Sequence, residues 1–286
     1  MPLLEPFHSE AAFLADVAAH PGDCAEQLHI WWLAQSGFLI RVCGKTLLLD
    51  PYLSDSLTKK YAATDKPHTR MMRQLVAPEK LTGIDIVTSS HNHTDHLDHE
   101  TLRPLFANNP DLVFIAPEAN RAEAAKRAGI DLERITGLDD GTSAELKGVR
   151  FTGIAAAHNS ITLDAAGRNI FLGYVLEIGP WRIYHSGDTL DYDGLADRLK
   201  KCGPIDLALL PINGDKPERH VAGNMDGIQA AHLAHEIGAR HVFPCHYDLF
   251  EFNTATPDFF VAECERLGQP YDVPKVGERK TLHTRR

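Results

Sequence analysis

No apolar run in the 286 residues approaches the ~18 needed to cross a bilayer, so no membrane span is expected. The first twenty residues lack both a basic start and a long apolar stretch, which predicts no signal peptide. Cysteine is sparse. Cys24, Cys43, Cys202, Cys245 and Cys264 are odd in number, scattered, and never in a Cys-x-x-Cys pair. That excludes a disulfide framework and suits a reducing cytoplasm. Basic residues are outnumbered, 29 against 39 acidic, for a formal charge of −10. Non-specific nucleic-acid binding needs Lys and Arg to neutralise phosphates, so nucleic acid is not expected as a partner. There is no Gly-x-Ser-x-Gly elbow to make Ser89 or Ser90 a nucleophile. Repeats, low-complexity tracts and linkers are also missing, which predicts one α/β domain over residues 1–286.

Histidine is what the chain has in abundance: 16 residues, with His91, His93, His96 and His99 close together. Around them the pattern alternates strand and helix. Ser9 can cap a helix over Glu10–Ala19, stopped by Pro21-Gly22. Strand-like runs follow at Leu28–Leu33, Gly37–Val42 and Thr46–Leu49, separated by Gln35-Ser36-Gly37 and Cys43-Gly44 turns. Residues 51–80 are irregular and are expected to form a lid or loop insertion. Further strands are expected at 84–88, 112–115, 149–156, 170–178, 181–184, 206–210 and 241–243, about ten in all. Helices are expected over 98–106, 118–128, 194–201 and 225–237.

The buried strand at 84–88 runs into His91-Asn92-His93-Thr94-Asp95-His96. In an extended segment His91 and His93 face one side. Asp95 and His96, after a bend, can reach a second position nearby. Imidazole and carboxylate suit Zn²⁺, Mn²⁺ and Fe, so one loop can serve two adjacent divalent ions. His99 falls inside the next helix as a surface residue, and Asp98 is its cap. Asp50, before Pro51, either ends a strand or hydrogen-bonds a ligand-bearing loop.

His-x-His-x-Asp-His after a hydrophobic strand resembles the signature of the metallo-β-lactamase superfamily. The resemblance implies a four-layer αββα sandwich of two mixed β-sheets with helices outside and a metal site at one edge. It also implies three more ligands at strand ends: His158 for the first metal, Asp188 between the two, and His246 for the second. His185 is expected to be a core or supporting residue, and His232, His235 and His241 surface groups. Two divalent ions lower the pKa of water to about 7 and make hydroxide available at neutral pH. Asp95 would both bind metal and orient that hydroxide.

Trp32–Phe38, Leu49–Asp55, Gly223-Asn224-Met225 and His246–Thr254 are similar to the L-ascorbate-6-phosphate lactonase branch. That likeness implies a cytoplasmic, oligomeric hydrolase, often with manganese, acting on a small-molecule substrate such as a sugar-acid phosphate lactone. A phosphate handle would need a cation, and Arg219, Lys216 and Arg70 are the candidates. The competing reading is a phosphodiesterase acting on a lipid or nucleotide ester with the same metals.

Overall fold

The computed structural model describes residues 2–284. Ser9 Oγ accepts the Ala12 N–H and starts α1 (Glu10–Ala19) where the sequence placed it. Three strands follow as an antiparallel meander: β1 (Gln27–Trp32), β2 (Phe38–Val42) and β3 (Lys45–Leu49). The turn between the last two is Cys43-Gly44, with φ of +50° and +69°. Two left-handed residues in succession match the twist of a hairpin, which is why a glycine sits there.

The chain then leaves through α2 (Ser56–Tyr61) and re-enters as β4 (Ile86–Thr88), parallel to β3. Parallel addition continues with α3 (His99–Asn108), β5 (Val113–Pro117), α4 (Arg121–Ala128) and β6 (Ile135–Leu138). All three residues of β4 are buried, as expected of a parallel strand covered on both faces.

The second sheet begins with β7 (Ser143–Leu146) and β8 (Val149–Ala155), followed by a short hairpin of β9 (Ala157–His158) and β10 (Ser160–Ile161). β11 (Leu172–Ile178) and β12 (Trp181–His185) extend it antiparallel. Past α5 (Leu195–Lys201), strand β13 (Leu207–Pro211) is added parallel. β14 (Val242–Cys245) follows in the same sense after α6 (Gly227–Glu236). Finally α7 (Asp258–Leu267) leads to β15 (Arg279–His283), which crosses back to pair antiparallel with β1.

The sheet orders are therefore β15-β1-β2-β3-β4-β5-β6 and β14-β13-β12-β11-β8-β7. Helix α4 packs on β5 and β6, and α6 on β13 and β14 with α7 against it. This is the layering of two mixed sheets with helices outside. Trp31, Trp32, Phe38, Phe114, Tyr174 and Phe243 are fully buried, and each phenylalanine contributes about 1.5–3 kcal/mol by leaving water. The described residues hold fifteen strands, not ten; β6, β7, the β9–β10 hairpin and β15 were not anticipated, nor was α7. No helix among the described residues is long and apolar enough to cross a membrane.

Candidate metal centre

The site is assembled where β4, β9, β12 and β14 end. After β4 the chain does not stay extended, as the spacing of His91 and His93 had suggested. It coils, with the N–H groups of His96 and Leu97 both donating to the His93 carbonyl at 3.1 and 2.8 Å. The coil brings the His91 ring to 4.5 Å from His93 and 4.1 Å from His96, centre to centre. Asp98 caps α3 through Glu100 N–H and also accepts from Ser56 Oγ at 2.8 Å; His99 is exposed.

Asp188 and His246 arrive from strands of the second sheet, and His158 from the β9–β10 hairpin after β8. Three groups have ligand atoms within 4.8 Å of one another: His91, His93 and His158; His91, His96 and Asp188; and Asp95, His96 and His246. Asp188 faces both sides, with Oδ1 3.4 Å from His96 Nε2 and Oδ2 3.4 Å from His246 Nε2 and 3.8 Å from His158 Nε2. Asp95 Oδ2 lies 3.7 Å from both His96 Nε2 and His246 Nε2. Atoms bonded to one ion at ~2.0–2.2 Å lie roughly 3–3.5 Å apart, close to this spacing.

Two buried nitrogens at the centre, His91 Nε2 and His96 Nε2, have no hydrogen-bond partner. Leaving a buried polar atom unpaired costs about 1–3 kcal/mol, a cost that a bound cation would remove. The donor set therefore fits divalent metal. Burial pushes His91 well below the usual histidine range, and His96 and His93 beside it act in the same direction. The ring is thus neutral, the form that binds metal. Burial would raise Asp188, but His246 and His96 outweigh it and hold the carboxyl well below its ordinary range.

Three of the far nitrogens are anchored, while His246 Nδ1 is buried without a partner. His96 Nδ1 lies 2.7 Å from Asp50 Oδ2, His91 Nδ1 3.0 Å from Ser90 Oγ, and His158 Nδ1 2.9 Å from the Gly223 carbonyl. Asp50 thus serves both of its candidate roles. It ends β3 at φ +42°, and it also accepts from the Ser90 N–H, the Ser90 hydroxyl and Thr88 Oγ1. His185 is buried and contacts the Ser36 carbonyl at 2.9 Å, so it supports the turn before β2. Close approach also matters at Gly187, where φ is +58° and an added Cβ would sit 2.5 Å from Ser90 Cβ.

A family model described as "Beta-lactamase superfamily domain" matches residues 45–247. The chain belongs to that superfamily. A UPF0173 metal-dependent hydrolase of Rubrobacter xylanophilus is 30% identical over 251 residues, covering 82% of this chain and 88% of the relative. The shared family makes this chain a metal-dependent hydrolase. Igni18, a metallo hydrolase of Ignicoccus hospitalis, superposes with a TM-score of 0.67 at 21% identity, covering 91% of this chain and all of that one. The isothiocyanate hydrolase from Delia radicum gut bacteria gives 0.71 at 19% identity, covering 90% and 100%. At those identities the two structures show the shared fold.

In this hydrolase the centre opens into a cavity of about 510 Å³. Its outer wall comes from residues 51–80: Leu57, Lys60, Tyr61, Lys66 and His68. Arg127, Val221, Ala222, Phe252 and Asn253 also line it. The 51–80 residues lie in the stretch expected to form a lid or loop insertion, and Phe252 and Asn253 in the stretch similar to the lactonase branch, but none of them was expected as a site residue. His68 stacks on Tyr61 at 4.4 Å and meets Phe252 edge-on at 4.6 Å. None of the three expected cations lines this cavity. Arg70 donates to the Ser54 and Met72 carbonyls, Arg219 to the Asn213 and Thr254 carbonyls, and Lys216 lines a separate groove beside Phe259. Arg70 and Arg219 instead tie loops together. Lys60 and Lys66 reach only neutral oxygens, Thr94 Oγ1 and the His220 carbonyl, whereas Arg127 is paired with Glu123 at 2.7 Å.

Proposed function

We propose that this hydrolase opens a small anionic cyclic ester, such as a sugar-acid phosphate lactone, at a two-metal centre. His91, His93 and His158 would hold one ion and Asp95, His96 and His246 the other, with Asp188 between them. The observation that carries the reading is the convergence of these seven side chains around unpartnered His91 Nε2 and His96 Nε2. Zinc or manganese suits the donors, and iron is compatible with them. When bound, such ions supply Lewis acidity and make hydroxide available at neutral pH.

The chain's own residues do the rest. Asp95 is half-buried and lines the cavity beside the exposed His93, where its carboxylate would orient the attacking oxygen. Lys60 and Lys66 give the wall two cations that have no carboxylate partner among the described residues, and these would hold a phosphate or carboxylate. Residues 51–80 act as a lid in this reading, since they close one side of the cavity. A small dianion needs only such a local pocket, which a protein of net charge −10 can still provide.

The test compares metal-loaded enzyme on phosphorylated lactones, neutral lactones and bis-aryl phosphodiesters. Phosphorylated lactones should lead, and Lys60→Ala with Lys66→Ala should raise KM for them alone. Asp95→Asn should abolish turnover while the fold stays intact. If phosphodiesters lead every lactone at least tenfold in kcat/KM, about 1.4 kcal/mol, the phosphodiesterase reading replaces this one.

A further inference from the structure

Gln35 occupies the turn before β2 and is 1% exposed. Its backbone is left-handed, φ +51°, directly after Ala34 at +78°. Two groups hold that unusual conformation: Trp32 Nε1–H and the His246 N–H both donate to the Gln35 carbonyl, at 2.8 and 2.9 Å. Trp32 is itself clamped by Tyr247, whose ring stacks on it at 4.3 Å. So much support for a strained residue implies a defined task for its side chain.

The side chain points into the centre. Nε2 lies 2.8 Å from Asp95 Oδ2 and 3.1 Å from His246 Nε2, while Oε1 is buried with no partner. Here the amide N–H takes the lone pair of His246 Nε2, the same pair that a metal ion would need. An ion held by Asp95, His96 and His246 ends that hydrogen bond and repels the N–H dipole. Turning the carboxamide by 180° exchanges the two atoms without changing its shape. It then presents oxygen to the cation and turns the N–H donors to the buried side where Oε1 now has no partner, so the gain is the oxygen–cation bond alone. The 3.1 Å to His246 Nε2 falls within the spacing of neighbouring ligands on one ion, and the 2.8 Å to Asp95 Oδ2 lies just below it.

We infer that Gln35 Oε1 is a protein ligand of the second metal position, on the side of Asp95, His96 and His246. This rests on the two-metal reading above. With Asp188 it gives that position five protein donors, a crowded oxygen-rich set that favours coordination above four and hence manganese or iron over tetrahedral zinc.

The experiment titrates chelator-stripped protein with Co²⁺, following heat and visible absorption, for the parent, Gln35→Leu and Gln35→Glu. The parent should take up two equivalents. Gln35→Leu should bind the first unchanged and the second at least tenfold more weakly. Its second-site absorption should intensify as the coordination number falls. Gln35→Glu separates a ligand from a mere hydrogen-bond donor. An oxygen ligand is kept, so second-site affinity should stay within threefold of the parent or tighten. A donor is lost, and the new charge would repel Asp95 and weaken binding. A cooperative thermal melt of each metal-free variant shows that it is folded. Identical affinities and spectra for the parent and Gln35→Leu would overturn the Gln35 assignment alone, as would weak binding by Gln35→Glu. A parent that binds only one equivalent would remove the two-metal reading, and Gln35 with it.

Discussion

Asp50 illustrates how much of the centre depends on a residue that touches no ligand atom facing the cavity. Its carboxylate is fully buried and receives four donors from Thr88, Ser90 and His96. Burial would push its pKa up, but the neighbouring His185 and the hydrogen bonds from His96 and Ser90 hold it below the usual carboxylate range. Ionised, it fixes the His96 ring so that Nε2 faces the centre. Partners of this kind typically contribute 10–100-fold to metal affinity. Asp50→Asn should therefore weaken metal binding by about that factor in a competitive chelator titration, with little loss of fold. Unchanged affinity would reduce Asp50 to a strand-ending residue.

At the scale of elements, the loops carrying Ser90 and Asp188 meet at Gly187, and only a hydrogen fits between them. Gly187→Ala meets Ser90 Cβ at 2.5 Å from a left-handed backbone, whereas Gly44→Ala has the same backbone sign and open space. Overpacking should cost Gly187→Ala about 1–3 kcal/mol beyond the conformational term that both share. Urea unfolding of the two variants measures the difference, and equal midpoints would refute it. The elements that position these loops were legible because their signals are local. Ser9 and Asp98 cap helices, Gly129 ends one at φ +71°, and the apolar run into His91 marks β4. The missed elements are polar or interrupted. β7 is Ser-Ala-Glu-Leu with an alternately exposed face, β6 contains Gly137, and β15 is Arg-Lys-Thr-Leu-His, held in place by β1 and not by its own pattern. The ligand candidates stood out because histidines recur at strand ends. The segment 51–80 stood out as an insertion, but not which of its residues face the cavity, since Lys60, Lys66 and His68 lie in an aperiodic stretch and His68 packs on Phe250 and Phe252, far along the chain. The expectation for Arg70 and Arg219 failed for a related reason: charge is visible in a sequence, but the carbonyls that consume it are not.

The whole molecule is tied together at the centre. His91, His93, Asp95 and His96 follow a strand of the first sheet, Asp188 and His246 follow strands of the second, and His158 ends β9 in the hairpin that directly continues β8 of the second. Metal held by both sets would staple the two sheets at one edge. At a free concentration about 100 times Kd, binding adds roughly 2.7 kcal/mol to stability. For a chain of this size that is roughly 5–10 °C in melting temperature. Chelation should lower the melting point by that amount and readdition should restore it. A melt insensitive to chelation, in protein shown by mass analysis to have lost its metal, would argue against the staple.

Strand β15 carries a different consequence. It covers the outer edge of β1, and His29 Nδ1 meets Thr281 Oγ1 at 2.9 Å although 252 residues separate them. During synthesis β1 leaves the ribosome early and has no partner on that edge until Arg279–His283 emerge. At about 5–20 residues per second this is a wait on the order of ten seconds or longer. Throughout it the nascent chain displays an unpaired strand bearing Trp31 and Trp32, the kind of edge that recruits foreign strands. The first sheet is thus begun early and closed late, and the newborn chain is expected to engage chaperones in a way the finished molecule does not.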